Sequence, residues 1–285
     1  MAKIFKNPHL IDYFLVDKGV DNNNYRSFVK EYEDGKVIYF PNLRPDINFE
    51  FWSSIDTDKY PDLKKLSVAV KLKDFPEFKN NSEKALSGMN IESDLKSKII
   101  NNISKIFDSI LPAYCGIFKE YKFGKCKTVW RLNVTNNENM HIDSYREKNP
   151  YHFARMFINL DNQPRIWKTS LTFKQIFEMR SIDFTNDELI NSKDTEFWHE
   201  IAVKTFGNSS AEWWDNYPRH VIYFDPGDVW TVDSRQIAHQ IFYGRRALSI
   251  DFFVEKEDMY DSEFYYLNIL KNLRKNELSK RNVIT

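Results

Sequence analysis

The sequence predicts a mainly β fold with flanking helices, built on an antiparallel, barrel-like double sheet of jelly-roll, cupin-like type. Three observations predict it. Short β-branched and aromatic runs, each closed by turn formers, fill the middle and end of the chain. Helical spacing is confined to 91–111, an interrupted stretch at 171–206 and a C-terminal stretch near 262–281. No internal repeat or low-complexity linker divides the 285 residues. The expectation is one domain over 1–285: a sheet core at about 120–255, N-terminal strands and a helix in 1–119, and a C-terminal helix at about 260–282.

Taken in order, residues 1–35 mix short apolar pairs with charges, and Lys36 to Pro41 (KVIYFP) is a strand stopped by proline. Phe49 to Ser54 reads as a short helix or turn, and Lys65 to Lys73 (KLSVAVKLK) as another strand. Leu95, Ile99, Ile103, Ile106, Phe107 and Ile110 recur at helical spacing, with Asn90 or Ser93 as N-cap and Pro112 as the stop. This helix is expected only to cover one face of a sheet. Strands follow at 127–135, 140–144, 153–160 and 164–168, then the helical stretch as an insertion. Strands resume at 220–224, after the turn Asp225-Pro226-Gly227-Asp228 at 229–232, and at 247–254.

Composition excludes several classes. With 41 basic and 41 acidic residues the chain has no overall electrostatic footprint for nucleic acid or an anionic membrane. Its 42% hydrophobic and 16% aromatic content suits a sizeable core. Cys115 and Cys126 form neither a CxxC pair nor a disulfide framework, which fits a reducing compartment. The N-terminus lacks a secretory pattern and no stretch approaches a membrane span, so the expected location is cytoplasmic.

The candidate chemistry centres on His141-Ile142-Asp143 and His239. Alone the first pattern is weak, since six histidines among 41 acidic residues give about one His-x-Asp/Glu by chance. Spacing of two on a strand, however, points both side chains to one face, as two ligands of one ion require. His239 follows a turn and a strand and precedes the last core strand. Two histidines and one carboxylate form a facial triad for Fe(II) that leaves positions open for co-substrate and O2. A carboxylate in the third position leaves no room for a halide, which argues for hydroxylation over halogenation.

Such a centre commonly takes 2-oxoglutarate, whose distal carboxylate needs a buried cation, and arginine's planar fork suits it. Arg155 lies inside the apolar run FARMFINL, where an unpaired charge is costly. Arg245 and Arg246, after Gly244, are the alternative and read more readily as a solvated turn. Arg155 is therefore favoured.

The segment WRLNVTNNENMHIDSYREKNPYHFARMFINLDNQPRIWK (130–168) resembles the corresponding region of the Fe(II)- and 2-oxoglutarate-dependent hydroxylases that act on 3-deoxy-D-manno-oct-2-ulosonic acid (Kdo) in bacterial lipopolysaccharide. The matching features are Trp130-Arg131, His141-x-Asp143, the Arg155-x-Phe157-x-Asn159 strand and Pro164-Arg165-x-Trp167. The early GKVIYFP run, the FDPGDVW turn and the spacing of His239 to Gly244 are also similar. NVTNNENM and Ser144-Tyr145-Arg146 depart from the pattern at positions that would border the substrate.

The resemblance implies a distorted double-stranded β-helix with iron on His141, Asp143 and His239, and 2-oxoglutarate held by Arg155 and Asn159. It implies hydroxylation of a Kdo sugar, free or lipid-linked, with Arg131, Arg146 and Arg165 as candidate partners for an acidic sugar. A lipid-linked substrate implies peripheral inner-membrane contact, and the basic C-terminal helix is a candidate for it, though a packing helix is the simpler reading. One rival is a hydroxylase of an amino acid, peptide or natural product with the same core motif. Another is a non-catalytic binding barrel, in which aromatic pairs such as Trp213-Trp214 serve recognition or packing.

Overall fold

The β-branched and aromatic runs form two sheets that face each other. The computed structural model describes residues 2–70, 77–122, 126–132, 138–143, 151–207 and 217–284. In chain order these hold β1 (Lys3–Phe5), β2 (Phe14–Val16), α1 (Val29–Glu33), β3 (Val37–Phe40), α2 (Phe49–Ser54), β4 (Lys65–Val70), α3 (Glu77–Ser87), α4 (Ser93–Ile117), β5 (Cys126–Arg131), β6 (His152–Asn159) and β7 (Arg165–Thr172). They continue with α5 (Phe173–Arg180), α6 (Asn186–Asn191), α7 (Asp194–Phe206), β8 (His220–Phe224), β9 (Val229–Thr231), β10 (Ile237–Tyr243), β11 (Ala247–Val254) and α8 (Tyr266–Ile284).

The minor sheet has the order β1-β8-β7-β10 and the major sheet β2-β3-β9-β6-β11-β5-β4. All pairings are antiparallel except β2 with β3. This is the expected jelly-roll-type architecture. The expected strand at 140–144 is instead one antiparallel bridge, His141 to His239, within the described residues. β10, β1, β2, α1 and α3 are elements that periodicity did not single out.

Alternation along the major sheet assigns its two faces. Ala154, Met156 and Ile158 of β6, Leu248, Ile250 and Phe252 of β11 and Trp130 of β5 join α4 in the larger core. The residues between them, including Arg155, Phe157, Ser249, Asp251 and Arg131, face the minor sheet around a cavity. A second core of Tyr39, Trp167, Phe224, Trp230 and Ile241 fills the remaining space between the sheets.

The long helix runs past its expected stop, with Pro112 inside it. Burial of Ala113, Tyr114 and Ile117 at 0% exposure extends it, and Tyr114 donates to the carbonyl of Ala154 at 2.7 Å. Each such buried side chain contributes roughly 1.5–3 kcal/mol, enough to offset a proline in the last turns. The 171–206 stretch is three helices, and Thr172 and Thr185 each start one with a capping box.

Asn159, expected beside the co-substrate, lies away from the cavity. It is fully buried and does not line the cavity. Its Nδ2 donates to the carbonyls of Gln163 at 2.9 Å and Phe224 at 3.0 Å, and its Oδ1 accepts from the amide of Asp161 at 3.1 Å. With both amide ends engaged, Asn159 clamps the β6–β7 turn to the end of β8. Beside it Gly227, at φ 78°, completes the turn before β9. Asn159→Ala removes the donor to the buried carbonyl of Phe224 and to the part-buried carbonyl of Gln163 and is expected to cost about 1–3 kcal/mol in urea unfolding, while metal affinity stays within about twofold; a loss of metal binding at unchanged stability would place Asn159 in the site.

Candidate metal centre

β10 presents His239 into the cavity, and the segment 138–143 pairs with its free edge. The amide of His141 donates to the carbonyl of His239 at 2.9 Å and the amide of His239 to the carbonyl of His141 at 2.8 Å. The amide of Glu138 donates to Ile241 and that of Asp143 to Ser234, at 2.9 and 3.1 Å. This short ladder brings one ligand atom each from His141, Asp143 and His239 within 4.8 Å of one another.

Each imidazole is oriented from behind. Nδ1 of His141 faces the carbonyl of Asn139 at 2.7 Å and Nδ1 of His239 faces that of Ile237 at 3.0 Å. A proton on each Nδ1 satisfies these carbonyls and leaves both Nε2 lone pairs for a metal. The Trp167 indole stacks on His239 at a 5.4 Å centroid separation and 21°. Burial, with His141 beside it, pushes His239 down to about 4, so it stays a neutral donor.

Asp143 is held from two sides: Oδ2 accepts from Arg155 Nη1 and from Ser234 Oγ. Burial raises its pKa, but Arg155, His239 and the Ser234 hydroxyl outweigh it and keep the carboxylate well below its usual range. Oδ1, 3.7 Å from His141 Nε2, remains for the ion. Two imidazoles and a fixed carboxylate fit Fe(II) in donor type.

Arg155 lines the cavity, with its guanidinium paired to Asp143 through Nη1 and to Asp251 through Nε at 2.6 Å. The structure places Arg245 and Arg246 elsewhere: both bind Asp161, at 3.2 and 3.0 Å. Arg246, expected in a solvated turn, is 2% exposed and also donates to the carbonyls of Ser53 and Ile55.

Arg165 occupies the cavity in their place. It is 3% exposed, its Nε has no hydrogen-bond partner, and a Cβ at Gly244 would lie 2.6 Å from its Nη1. Gly244 therefore makes room for this guanidinium. Burial pushes Arg165 down to about 10, which leaves it cationic at neutral pH. Arg131 lines the cavity mouth and pairs with Glu138 at 3.5 Å. Lys65, opposite Arg131 across the β4–β5 ladder, also lines it and was not singled out by sequence. Arg146, Ser144-Tyr145 and Trp213-Trp214 lie outside the described residues. The cavity measures about 240 Å³.

The family model of 3-deoxy-D-manno-oct-2-ulosonic acid (Kdo) hydroxylase matches residues 16–277. Among solved structures, the Kdo hydroxylase KdoO, a non-haem Fe(II) α-ketoglutarate-dependent dioxygenase, matches with succinate and Fe(III) at TM-score 0.67 and 16% identity, over 92% of this chain and 95% of that one. The same enzyme with α-ketoglutarate and Fe(III), and with cobalt(II), matches at TM-score 0.66 over the same shares, at 15% and 17% identity. At these identities the structures speak to the fold. No curated protein matches the sequence.

The buried histidines set a pH dependence for the metal-free chain. His239 and His152 are held neutral to about 4 and about 3, chiefly by burial, whereas unfolded histidine protonates near 6.5. Stability is full above that unfolded value and is lost as pH falls through it, by on the order of 1 kcal/mol per pH unit for each histidine. Thermal unfolding in chelator is expected to show a falling Tm from about pH 6.5 to 5.5; a flat profile would contradict the assignment. The family model covers most of the chain, the fold agrees and His141, Asp143 and His239 converge: the chain belongs to the Kdo hydroxylase family.

Proposed function

We propose that this chain is an Fe(II)- and 2-oxoglutarate-dependent dioxygenase that hydroxylates a Kdo sugar of lipopolysaccharide. The convergence of His141, Asp143 and His239 on one face of a cavity, in a chain of this family, carries the reading. Among the structures it resembles, KdoO was solved with Fe(III) and α-ketoglutarate or succinate, the co-substrate and by-product such a reaction requires. Bound iron with 2-oxoglutarate and O2 would supply the oxidant for a C–H bond.

The protein's part is positional. His141 and His239 would hold the ion through Nε2 and Asp143 through Oδ1, with Arg155 keeping Oδ2 turned away. Arg165 would receive the distal carboxylate of 2-oxoglutarate, because it is buried against the cavity and, unlike Arg155, Arg245 and Arg246, has no carboxylate in ion-pair contact among the described residues. This role passes from Arg155, whose guanidinium already meets two carboxylates. Arg131 at the mouth would meet the carboxylate of the sugar, and the apolar walls, Phe157, Trp167 and Ile241, exclude water from the reacting end.

A lipid-linked Kdo acceptor would bring the chain to the cytoplasmic face of the inner membrane. Among the described residues no helix is long and apolar enough to cross a membrane, so the contact would be peripheral.

Two experiments test this. Anaerobically reconstituted protein, given O2 and a panel of Kdo sugars, amino acids and peptides, is expected to release succinate and add one oxygen atom only with the Kdo compounds. Turnover confined to amino acids or peptides would replace the substrate, and no Fe(II) binding at all would favour a non-catalytic barrel. Arg165→Gln is expected to raise KM for 2-oxoglutarate by at least about 30-fold with metal affinity little changed; the reverse pattern, with Arg155→Gln raising that KM, would return the anchor to Arg155.

A further inference from the structure

A buried polar network outside the metal centre ends on the residue that fixes its carboxylate. Arg235 is 2% exposed and grips Asp233, itself 2% exposed, through Nε and Nη2, both at 3.1 Å. Its Nη1 donates to the carbonyl of Tyr151 at 2.7 Å, just before β6, and its Nη2 lies 3.3 Å from Nδ1 of the fully buried His152. Nε2 of His152 meets the Tyr121 hydroxyl at 2.9 Å. The guanidinium also lies over the ring of Tyr266 in α8, 4.3 Å from its centroid.

Between Asp233 and Arg235 sits Ser234, 2% exposed. Its Oγ donates to Oδ2 of Asp143, its carbonyl accepts from the Asp143 amide at 3.1 Å, and Arg155 donates to the same Oγ. The turn is closed by the amide of Gln236 on the carbonyl of Asp233 at 3.0 Å. A serine hydroxyl can steer a carboxylate only if its backbone is fixed, and the Asp233–Arg235 grip fixes it on both sides. Stability alone is a weak account of this arrangement, since apolar side chains of like volume often replace a buried ion pair at no cost.

We propose that Arg235 is a positioning residue for the metal centre: by locking the 233–236 turn to Tyr151 and α8 it aims Ser234 at Asp143, so that the carboxylate offers one oxygen to the ion. This rests on the metal reading above, and its test separates the two. Arg235 does not line the cavity, and Ser234, which does, acts through its hydrogen bond to Asp143.

The test uses the full chain stripped of metal and titrated with Co(II), followed by its d–d absorption. Arg235→Lys keeps the charge but cannot span Asp233, Tyr151 and His152 together. It is expected to bind Co(II) roughly 10- to 100-fold more weakly, the usual effect of losing a residue that orients a ligand, with a shifted band shape. Ser234→Ala is expected to lose a similar factor, and the Arg235→Lys/Ser234→Ala double variant little more than either alone, because the two act in series. Thermal unfolding reports whether each variant folds; Arg235→Met serves as a second variant if Arg235→Lys does not. Co(II) affinity and spectrum within about twofold of the parent in a folded Arg235 variant, or additive losses in the double variant, would overturn the proposal. A parent protein that binds no Co(II) would instead overturn the metal reading itself.

Discussion

The site depends on a short backbone ladder. Segment 138–143 has no strand of its own, yet it adds to the exposed edge of β10 through the paired amides of His141 and His239, extended by Glu138 to Ile241 and Asp143 to Ser234. Antiparallel pairing sets the two histidines directly opposite each other, with ring centroids 4.4 Å apart. Asp143, two residues on, falls on the same face. Remove the ladder and the three side chains belong to separate pieces of chain.

Around that ladder the fold provides a rigid frame. The major sheet is anchored by α4 on its far face, while the minor sheet places Trp167 against His239. Trp198 of α7 donates to the carbonyl of Asp143 at 3.4 Å, so the helical insertion also reaches the centre. Charges inside are balanced locally: Arg155 lies between Asp143 and Asp251, and Asp161 takes Arg245 and Arg246. Arg165 is buried with no carboxylate in ion-pair contact among the described residues, and the co-substrate reading is built on it.

Much of this was legible in the sequence, for physical reasons that differ by residue. Alternation revealed β6, β11 and the strand near 130, and helical spacing revealed α4 and α8, because burial on one face leaves a period. His141 and Asp143 were legible because a spacing of two has a fixed meaning on extended chain. Arg155 stood out as a charge in an apolar run, but its partners lie on other strands, so its neighbours could not be read. Arg165 was named, yet its place depends on Gly244, 79 positions away in sequence and brought near only by the β7–β10 pairing. The place of Asn159 and the burial of Arg246 were not legible because hydrogen bonds to backbone carbonyls leave no trace in side-chain pattern. β10 was missed since its burial interrupts simple alternation, with register shifts after Ile237 and after Ile241.

The two faces of β6 and β11 have a further consequence for how the chain finds its native pairing. Arg155 lies across from Asp251, with Phe157 opposite Ser249, while their sequence neighbours pack against α4. A slip by one residue in either strand would turn a guanidinium or a carboxylate into the apolar layer beneath that helix and separate it from its counter-charge. The polar row along the cavity thereby acts as a proofreader of strand register, penalising misaligned sheets as they form.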